Sequence, residues 1–173
     1  MKYPQEFIDY LLYFHSSRDF FECHEVLEEY WKSEEGGKEK VWVGFIQIAV
    51  GLYHYRRKNY EGAKKMISSA LSILERETTK IAELGINSKQ LLLDLPQIKD
   101  SIEKKLPYSD YNIPIEDKSL LEACTEQCKK ENRSWCSPSD FNNTYLINKH
   151  TLRNRDDVIH ERARQKQLKN RKT

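Results

Sequence analysis

A histidine and a carboxylate, His24 and Glu28, stand four residues apart in a stretch with the spacing of an amphipathic helix. Residues four apart on a helix have Cβ atoms about 5–6 Å apart, so both side chains can reach one ion or each other. The same predicted face carries Phe20, Leu27 and Trp31, which indicates that it points toward a core. A charge or an imidazole on such a face needs a partner, and the sequence therefore predicts a polar site here.

One interpretation of this site is a divalent, zinc-like metal ion. Bonds from zinc to a histidine nitrogen or a carboxylate oxygen are about 2.0–2.2 Å long, which both side chains can achieve. His24 and Glu28 do not complete a site, and we predict His54 as the third ligand. Four further residues are predicted to act as weak ligand, hydrogen-bonding group or pocket wall around the ion: Gln47, Glu25, Trp31 and Gly51.

Two other interpretations stay open. In the first, His24 and Glu28 satisfy each other in a buried network, completed by Gln47, His54 or a tyrosine hydroxyl, and fix the register of two helices without chemistry. In the second, the cluster is catalytic without a metal. A solvent-reachable pocket favours a functional site, whereas a sealed and mutually bonded cluster favours the structural interpretation.

Several familiar catalytic patterns are absent from the sequence. The residue four after His24 is Glu28 and residue 21 is Phe, which excludes His-Glu-x-x-His and Glu-x-x-His at this motif. Gly36-Gly37 lacks the Lys-Ser/Thr of a phosphate loop. Whether the chain is an enzyme stays open. For a hydrolase, the simplest hypothesis is a metal-activated water with Glu25 or Glu28 as the base.

The elements that position these residues are predicted to be helices. Helical spacing of apolar residues predicts five of them before residue 107, and no stretch alternates with the period of a strand. Their predicted bounds are Pro4–Phe14, a Ser16 or Ser17 cap to Ser33, Lys38–Arg57, Tyr60–Arg76 after an Asn59 cap, and Asn87 or Ser88 to Pro107.

The third predicted helix is apolar on nearly every side, which is typical of a helix surrounded by others. One stripe of it differs, because Gly44, Gln47, Gly51 and His54 recur at heptad-like spacing. The glycines allow another backbone to approach closely, at a propensity cost of about 1 kcal/mol each relative to alanine. We predict this stripe to be the other half of the polar site on the second helix.

The chain of 173 residues is predicted to form an all-α bundle of about five helices, residues 1–107, followed by a linker and C-terminal extension, residues 108–173. The extension has few apolar residues, so it is expected to be helical or partly disordered rather than a core of its own. Residues 149–173 hold 9 Lys+Arg against 3 Asp+Glu, a net charge of +6, whereas residues 1–107 hold 16 against 17.

The basic tail is predicted to contact an acidic partner or nucleic acid electrostatically. The alternative is a solvated helix with a basic end, since no aromatic platform for base stacking accompanies it. A protein partner or a homo-oligomer is the other class of partner that stays open. The tail residues assigned to an acidic partner are Arg162, Arg164, Lys166, Lys169 and Arg171.

The sequence predicts a cytoplasmic protein without membrane contact. No apolar run approaches the roughly 20 residues that span a bilayer, and the N-terminus lacks the pattern of a signal peptide. The cysteines are too few for a dense disulfide framework. An alternative zinc site consists of Cys124, Cys128, Cys136 and His150, but the spacing of its cysteines is wider than the usual Cys-x-x-Cys. We favour packing of Cys124 and Cys128 as small apolar residues.

Three sequence blocks together resemble the DUF309 family. The first, residues 24–31, reads His-x-x-x-Glu-x-x-Trp; the second is residues 47–54, Gln-Ile-Ala-Val-Gly-Leu-Tyr-His; the third is residues 59–63, Asn-Tyr-Glu-Gly-Ala. The resemblance covers roughly residues 5–75. It implies an all-α bundle and the expectation that the His/Glu motif binds a metal, and it implies no substrate. The region after residue 107 lies outside the resemblance.

Overall fold

The computed structural model describes residues 2–149 of the chain. Within them the all-α prediction is confirmed, because every regular element is a helix. The α-helices are α1 (Gln5–Leu12), α2 (Phe20–Lys32), α3 (Lys40–Arg56), α4 (Tyr60–Leu74), α5 (Thr78–Glu83), α6 (Ser88–Glu103), α7 (Lys118–Lys130) and α8 (Thr144–Ile147).

The chain divides into two compact units, Met1–Ser139 and Asp140–Thr173. The predicted boundary at residue 107 falls inside the first unit, and the division into domains stays a prediction. In the second unit the structure describes only α8 and its flanks. The Asn143 side chain caps α8 by accepting a hydrogen bond from the Leu146 N–H at 3.0 Å. The tail residues assigned to an acidic partner, and His150, lie outside the described residues.

Helix α3 is the centre of the first unit, as its all-round apolar sequence predicts. It packs against both α2 and α4. Its contacts with α2 show that the two helices are antiparallel. The Trp42 ring lies 5.2 Å from that of Tyr30 at one end, and the Arg56 guanidinium lies 4.6 Å from the Phe20 ring at the other.

The two glycines of α3 face α4. A Cβ on Gly44 would lie 2.5 Å from Cδ2 of Leu74, and one on Gly51 would lie 2.7 Å from Cδ1 of Ile67. Both neighbours are fully buried, so neither has free space into which to retreat. The close approach predicted from these glycines is therefore present, but it serves α3–α4 packing and not contact with α2.

The connection between α1 and α2 differs from the prediction. Residues 13–17 make one π-helical turn, and Arg18 has a left-handed backbone with φ of 54°. The hydroxyls of Ser16 and Ser17 donate to main-chain carbonyls four residues earlier, so the prediction that one of them caps α2 is wrong. Asp19 is the cap instead, because its carboxylate accepts from the Glu22 N–H at 3.2 Å. The predicted Asn59 cap of α4 is confirmed.

Helix α6 ends at Glu103, before the predicted end at Pro107. Residues 108–117 carry no helix, as the linker prediction says, but the connection is bonded to the bundle. The Tyr55 hydroxyl donates to the Leu106 carbonyl at 2.8 Å, and the Asn87 N–H donates to the Pro114 carbonyl at 2.8 Å. Helix α7 then packs on α1. The short helix α5 was not predicted, since six residues with one fully buried side chain, Ile81, give no periodic signal.

No helix among residues 2–149 is both long enough and apolar enough to cross a membrane.

Candidate functional site

The predicted pair on α2 is formed. His24 Nε2 lies 2.6 Å from Glu28 Oε2, and the other oxygen of Glu28 lies 2.9 Å from Lys32 Nζ. On the other side of the ring, His24 Nδ1 lies 3.6 Å from Glu25 Oε1. The side chains of His24 and Glu28 are 31% and 33% exposed. The pair is therefore at the margin of the core, open to solvent on one side, and not sealed.

The charge of Glu28 is set by its helical neighbours. The hydrogen bond from Lys32 lowers the pKa of Glu28, and His24 lowers it further, against partial burial that acts to raise it. The carboxylate is consequently ionised at neutral pH and accepts a hydrogen bond from Nε2 of His24. In a neutral imidazole this arrangement leaves Nδ1 as an acceptor. The pair thus orients a histidine at the surface of α2.

The other predicted ligand lies elsewhere. His54 is near the C-terminal end of α3, where its Nδ1 lies 3.2 Å from Nδ2 of Asn59, the cap of α4. Among residues 2–149, no group of three or more His, Cys, Asp or Glu side chains is placed to hold a metal ion. The structure brings His24 together with Glu25 and Glu28, and not with His54 as a third ligand. Metal binding by His24, Glu28 and His54 stays a prediction from the sequence.

Trp31 and Gln47, two further residues predicted to belong to the site, each carry a buried polar atom without a partner. The indole Nε1 of Trp31 and the amide Oε1 of Gln47 are buried, and neither has a hydrogen-bond partner in the described part of the chain. The remainder of each side chain is partly exposed. A buried polar atom without a partner costs about 1–3 kcal/mol, and native structures contain few of them. We call these two atoms, the Trp31 N–H donor on α2 and the Gln47 oxygen acceptor on α3, the orphan pair.

These residues belong to two stripes of half-buried side chains, one on each helix. The spacing alternates between three and four residues, so each stripe follows one helical face. On α2 the stripe lies between buried and exposed positions, whereas on α3 its four members are the half-buried positions of a helix that is otherwise buried after Lys40. We call the two stripes together the α2–α3 face. Its members are Phe21, His24, Glu28 and Trp31 on α2, and Val43, Gln47, Val50 and His54 on α3.

The most deeply buried polar groups of the first unit were not predicted. His15, Arg18 and Arg56 are 1%, 2% and 4% exposed. Arg18 donates hydrogen bonds to the carbonyls of Ser137 and Tyr111, both at 2.7 Å. A third bond runs from Arg18 to Oδ1 of Asn112 at 2.8 Å. We call His15, Arg18 and Arg56 the buried hub. It joins the start of α2 to residues more than ninety positions later.

His15 completes the hub as a neutral ring. Its Nδ1 donates to the Leu11 carbonyl at 2.8 Å, and its Nε2 accepts from the Ile113 N–H at 3.0 Å. The ring stacks on that of Trp135, with 4.6 Å between the centres. Burial lowers the pKa of His15 to about 4. The one sequence signal was its place four residues after Leu11 on the apolar stripe of α1.

The cysteines form no site in the described residues. All four thiols are free, and three of them are buried. Cys124 lies in the core, where burial raises its pKa to about 12, so it packs as a small apolar residue. Cys136 is exposed, and within residues 2–149 none of the cysteines lies with two or more His, Cys, Asp or Glu side chains placed to hold a metal ion.

Comparison with known proteins places the site within a family. The profile of "Domain of unknown function (DUF309)" matches residues 7–66, which include the α2–α3 face and the buried hub. The "Uncharacterized protein YpuF" of Bacillus subtilis (strain 168) is 46% identical over 164 residues, covering 94% of each chain. No solved structure matches the chain significantly.

The buried hub predicts a pH-dependent stability. The pKa of His15 falls from its ordinary 6.5 to about 4 on folding, so the unfolded chain takes up the proton first as the pH drops. The neutral ring thus contributes about 3 kcal/mol to the free energy of unfolding. This contribution is complete above pH 6.5 and is lost as the pH falls toward 4. Urea unfolding between pH 4 and 8 measures it.

The control for this prediction is His15→Asn, which removes the titrating ring. Carboxylates change the free energy of unfolding below pH 5 in both proteins. The informative quantity is therefore the difference in the free energy of unfolding between wild type and variant at each pH. That difference should shrink steadily from pH 7 to pH 4. A difference that stays constant over this range would show that His15 is not held neutral.

Proposed function

The chain belongs to the DUF309 family of domains of unknown function, and from its geometry we propose that it is a binding module whose α2–α3 face takes a segment of a partner protein. The observation that supports this most directly is the orphan pair, the Trp31 indole N–H and the Gln47 amide oxygen. Each is a polar atom for which the described fold provides no partner. A bound segment can provide both.

A peptide group is the simplest match to this pair. Every non-proline residue of a partner carries one N–H donor and one C=O acceptor, the complement of an indole donor and an amide acceptor. Trp31 and Gln47 are partly exposed as residues while their two polar atoms are buried, so this mode of binding requires both side chains to turn toward the partner. Main-chain recognition of this kind does not require a particular partner sequence.

The remainder of the face has the composition of an interface. Val43, Val50 and Phe21 supply half-buried apolar area, and tryptophan is among the residues that most often dominate binding energy. The paired side chains of His24 and Glu28 stand beside this apolar part, as a polar rim does. We assign His24 and Glu28 to orienting the partner and not to holding the fold together, since both remain a third exposed.

The metal-binding interpretation of His24, Glu28 and His54 is the alternative. It requires His54 to move from its contact with Asn59 into the coordination sphere of an ion on α2. The binding-module proposal requires no such movement. Contact of the basic tail with an acidic partner or nucleic acid, a homo-oligomer, and a cytoplasmic location stay predictions from the sequence.

The first prediction concerns Gln47→Met. It removes the orphan oxygen and keeps the size of the side chain, so stability should be unchanged or should rise by up to about 1 kcal/mol. A structural polar network would instead lose about 1–3 kcal/mol on the same change. The midpoint of urea unfolding at constant m-value measures the difference.

A matched control is Gln5→Met. The Gln5 amide donates to Asp9 at 3.0 Å and to Gln127 at 2.9 Å, so this variant should lose about 0.5–1.5 kcal/mol. If Gln47→Met loses as much as Gln5→Met, the Gln47 oxygen has a structural partner and the proposal loses its main support.

The second prediction concerns the partner itself. We expect p-benzoylphenylalanine in place of Glu25, which is exposed beside the α2–α3 face, to cross-link one discrete protein in cells that naturally produce the chain. The same residue in place of Glu75, exposed at the end of α4, should not. Mass spectrometry of the cross-linked band identifies the partner.

Specificity is tested by adding Trp31→Phe to the Glu25 photo-probe. This change removes the indole N–H and keeps an aromatic ring, so the cross-link should weaken markedly while the far-UV circular dichroism stays the same. Equal cross-linking from Glu25 and Glu75, or a yield that Trp31→Phe does not alter, argues against the α2–α3 face as the contact surface.

The third prediction separates this proposal from the metal alternative. Calorimetric titration of the tag-free protein with Zn²⁺ should give the same heats in wild type and His54→Ala, because the binding-module proposal assigns no metal to His54. Stoichiometric binding that disappears in both His24→Ala and His54→Ala would establish the metal site and displace the binding module as the primary function.

A further inference from the structure

The guanidinium of Arg56, near the end of α3, has a role that the proposed function does not explain. The residue is 4% exposed. Its Nη1 donates to the Arg18 carbonyl at 2.8 Å and to the Ser139 hydroxyl at 3.2 Å. One flat face lies over the Phe20 ring, 4.6 Å from its centre. The fold therefore provides hydrogen-bond acceptors for Nη1 and an aromatic contact for one face of the guanidinium.

The other edge of the same guanidinium is unpaired. Nε and Nη2 of Arg56 are both buried, and neither has a hydrogen-bond partner in the described part of the chain. These N–H groups project side by side from one edge of a planar group, the geometry that grips two oxygens of one carboxylate or phosphate. Burying charged donors without acceptors costs more than burying neutral ones. The edge has the shape and charge for an oxyanion.

The surroundings of Arg56 leave its charge without a contacting anion. None of the ion pairs formed within residues 2–149 involves Arg56 or the neighbouring Arg18. Asp110 accepts from the main chain and hydroxyl of Ser139 and from the Tyr108 hydroxyl. Burial lowers the pKa of Arg56, and Asp110 and Asp19 only partly offset it from a distance. Two buried positive groups thus share one region.

We propose that Arg56 is the receptor for a small oxyanion with two or more terminal oxygens, such as inorganic phosphate or a small carboxylate. Nε and Nη2 donate to two of its oxygens, and the charge of Arg18 adds attraction. Ser139, which accepts a hydrogen bond from Arg56, belongs to residues 131–139, which have no helix and are mostly exposed. Access of the anion requires this stretch to open locally.

The test is a titration followed by NMR at the arginine Nε–H groups of the full-length protein. Inorganic phosphate should shift the Arg56 Nε–H resonance in a saturable way, and sodium chloride at equal ionic strength should not. Acetate is the second arm, which distinguishes phosphate from carboxylate as the preferred oxyanion. The Nε–H of Arg18, whose carbonyl accepts a hydrogen bond from Arg56, is a second reporter. Arg56→Lys keeps a positive charge but lacks the two-donor edge, so the saturable shift of the Arg18 resonance should be lost in this variant.

Arg76→Lys is the matched control, because Arg76 is exposed at the end of α4 and its replacement should leave the titration unchanged. If Arg56→Lys does not fold, the wild-type resonance is assigned through its contact with the Phe20 ring, and the wild-type titration alone decides. The proposal is overturned if neither phosphate nor acetate gives a saturable shift of Arg56, or if exposed arginines shift equally.

Discussion

The first unit depends on one constraint: two guanidinium groups are buried away from water and need oxygen acceptors within the protein. Arg18 and Arg56 are almost fully buried, and a buried charge is tolerated only when oxygens replace the lost water. The acceptors come from main-chain and side-chain oxygens of residues 111, 112, 137 and 139, and from the Arg18 carbonyl itself. Residues 108–139, part of the predicted linker and C-terminal extension, are consequently tied to the bundle by polar atoms.

The same hub determines where α2 begins, and so where the candidate functional residues point. Arg18 takes a left-handed backbone, Asp19 caps the helix, and Phe20 packs on Arg56. With the first residue fixed in this way, the helical period places His24, Glu28 and Trp31 on one side of α2. The surface that we propose for binding is therefore set by a buried cluster that does not itself belong to it.

Part of this structure could be predicted from the sequence. The apolar circumference of α3 predicted its central place, Asn59 predicted the start of α4, and the spacing of His24 and Glu28 predicted their contact. These features depend on neighbours within one or two helical turns. The direction of the Gly44 and Gly51 stripe could not be predicted in the same way, because spacing defines a face but not which helix covers it.

The buried hub could not be predicted for a related reason. Arg18 and Asn112 are 94 positions apart, and Arg18 and Ser137 are 119 apart. Arginine is usually exposed, and nothing local to either partner marks it as buried. The orphan atoms of Trp31 and Gln47 likewise become visible only when every hydrogen bond around them is known. Sequence patterns located the His24–Glu28 pair on α2, but not the hydrogen bonding of its surroundings.

Amide hydrogen exchange in Arg18→Gln tests whether the buried arginines hold residues 108–139 on the bundle. We expect protection to fall sharply in residues 109–115 and 134–139, together with the start of α2, while α3 and α4 keep their wild-type exchange rates. Unchanged protection in residues 109–115 and 134–139, or an equal loss throughout the first unit, would contradict it.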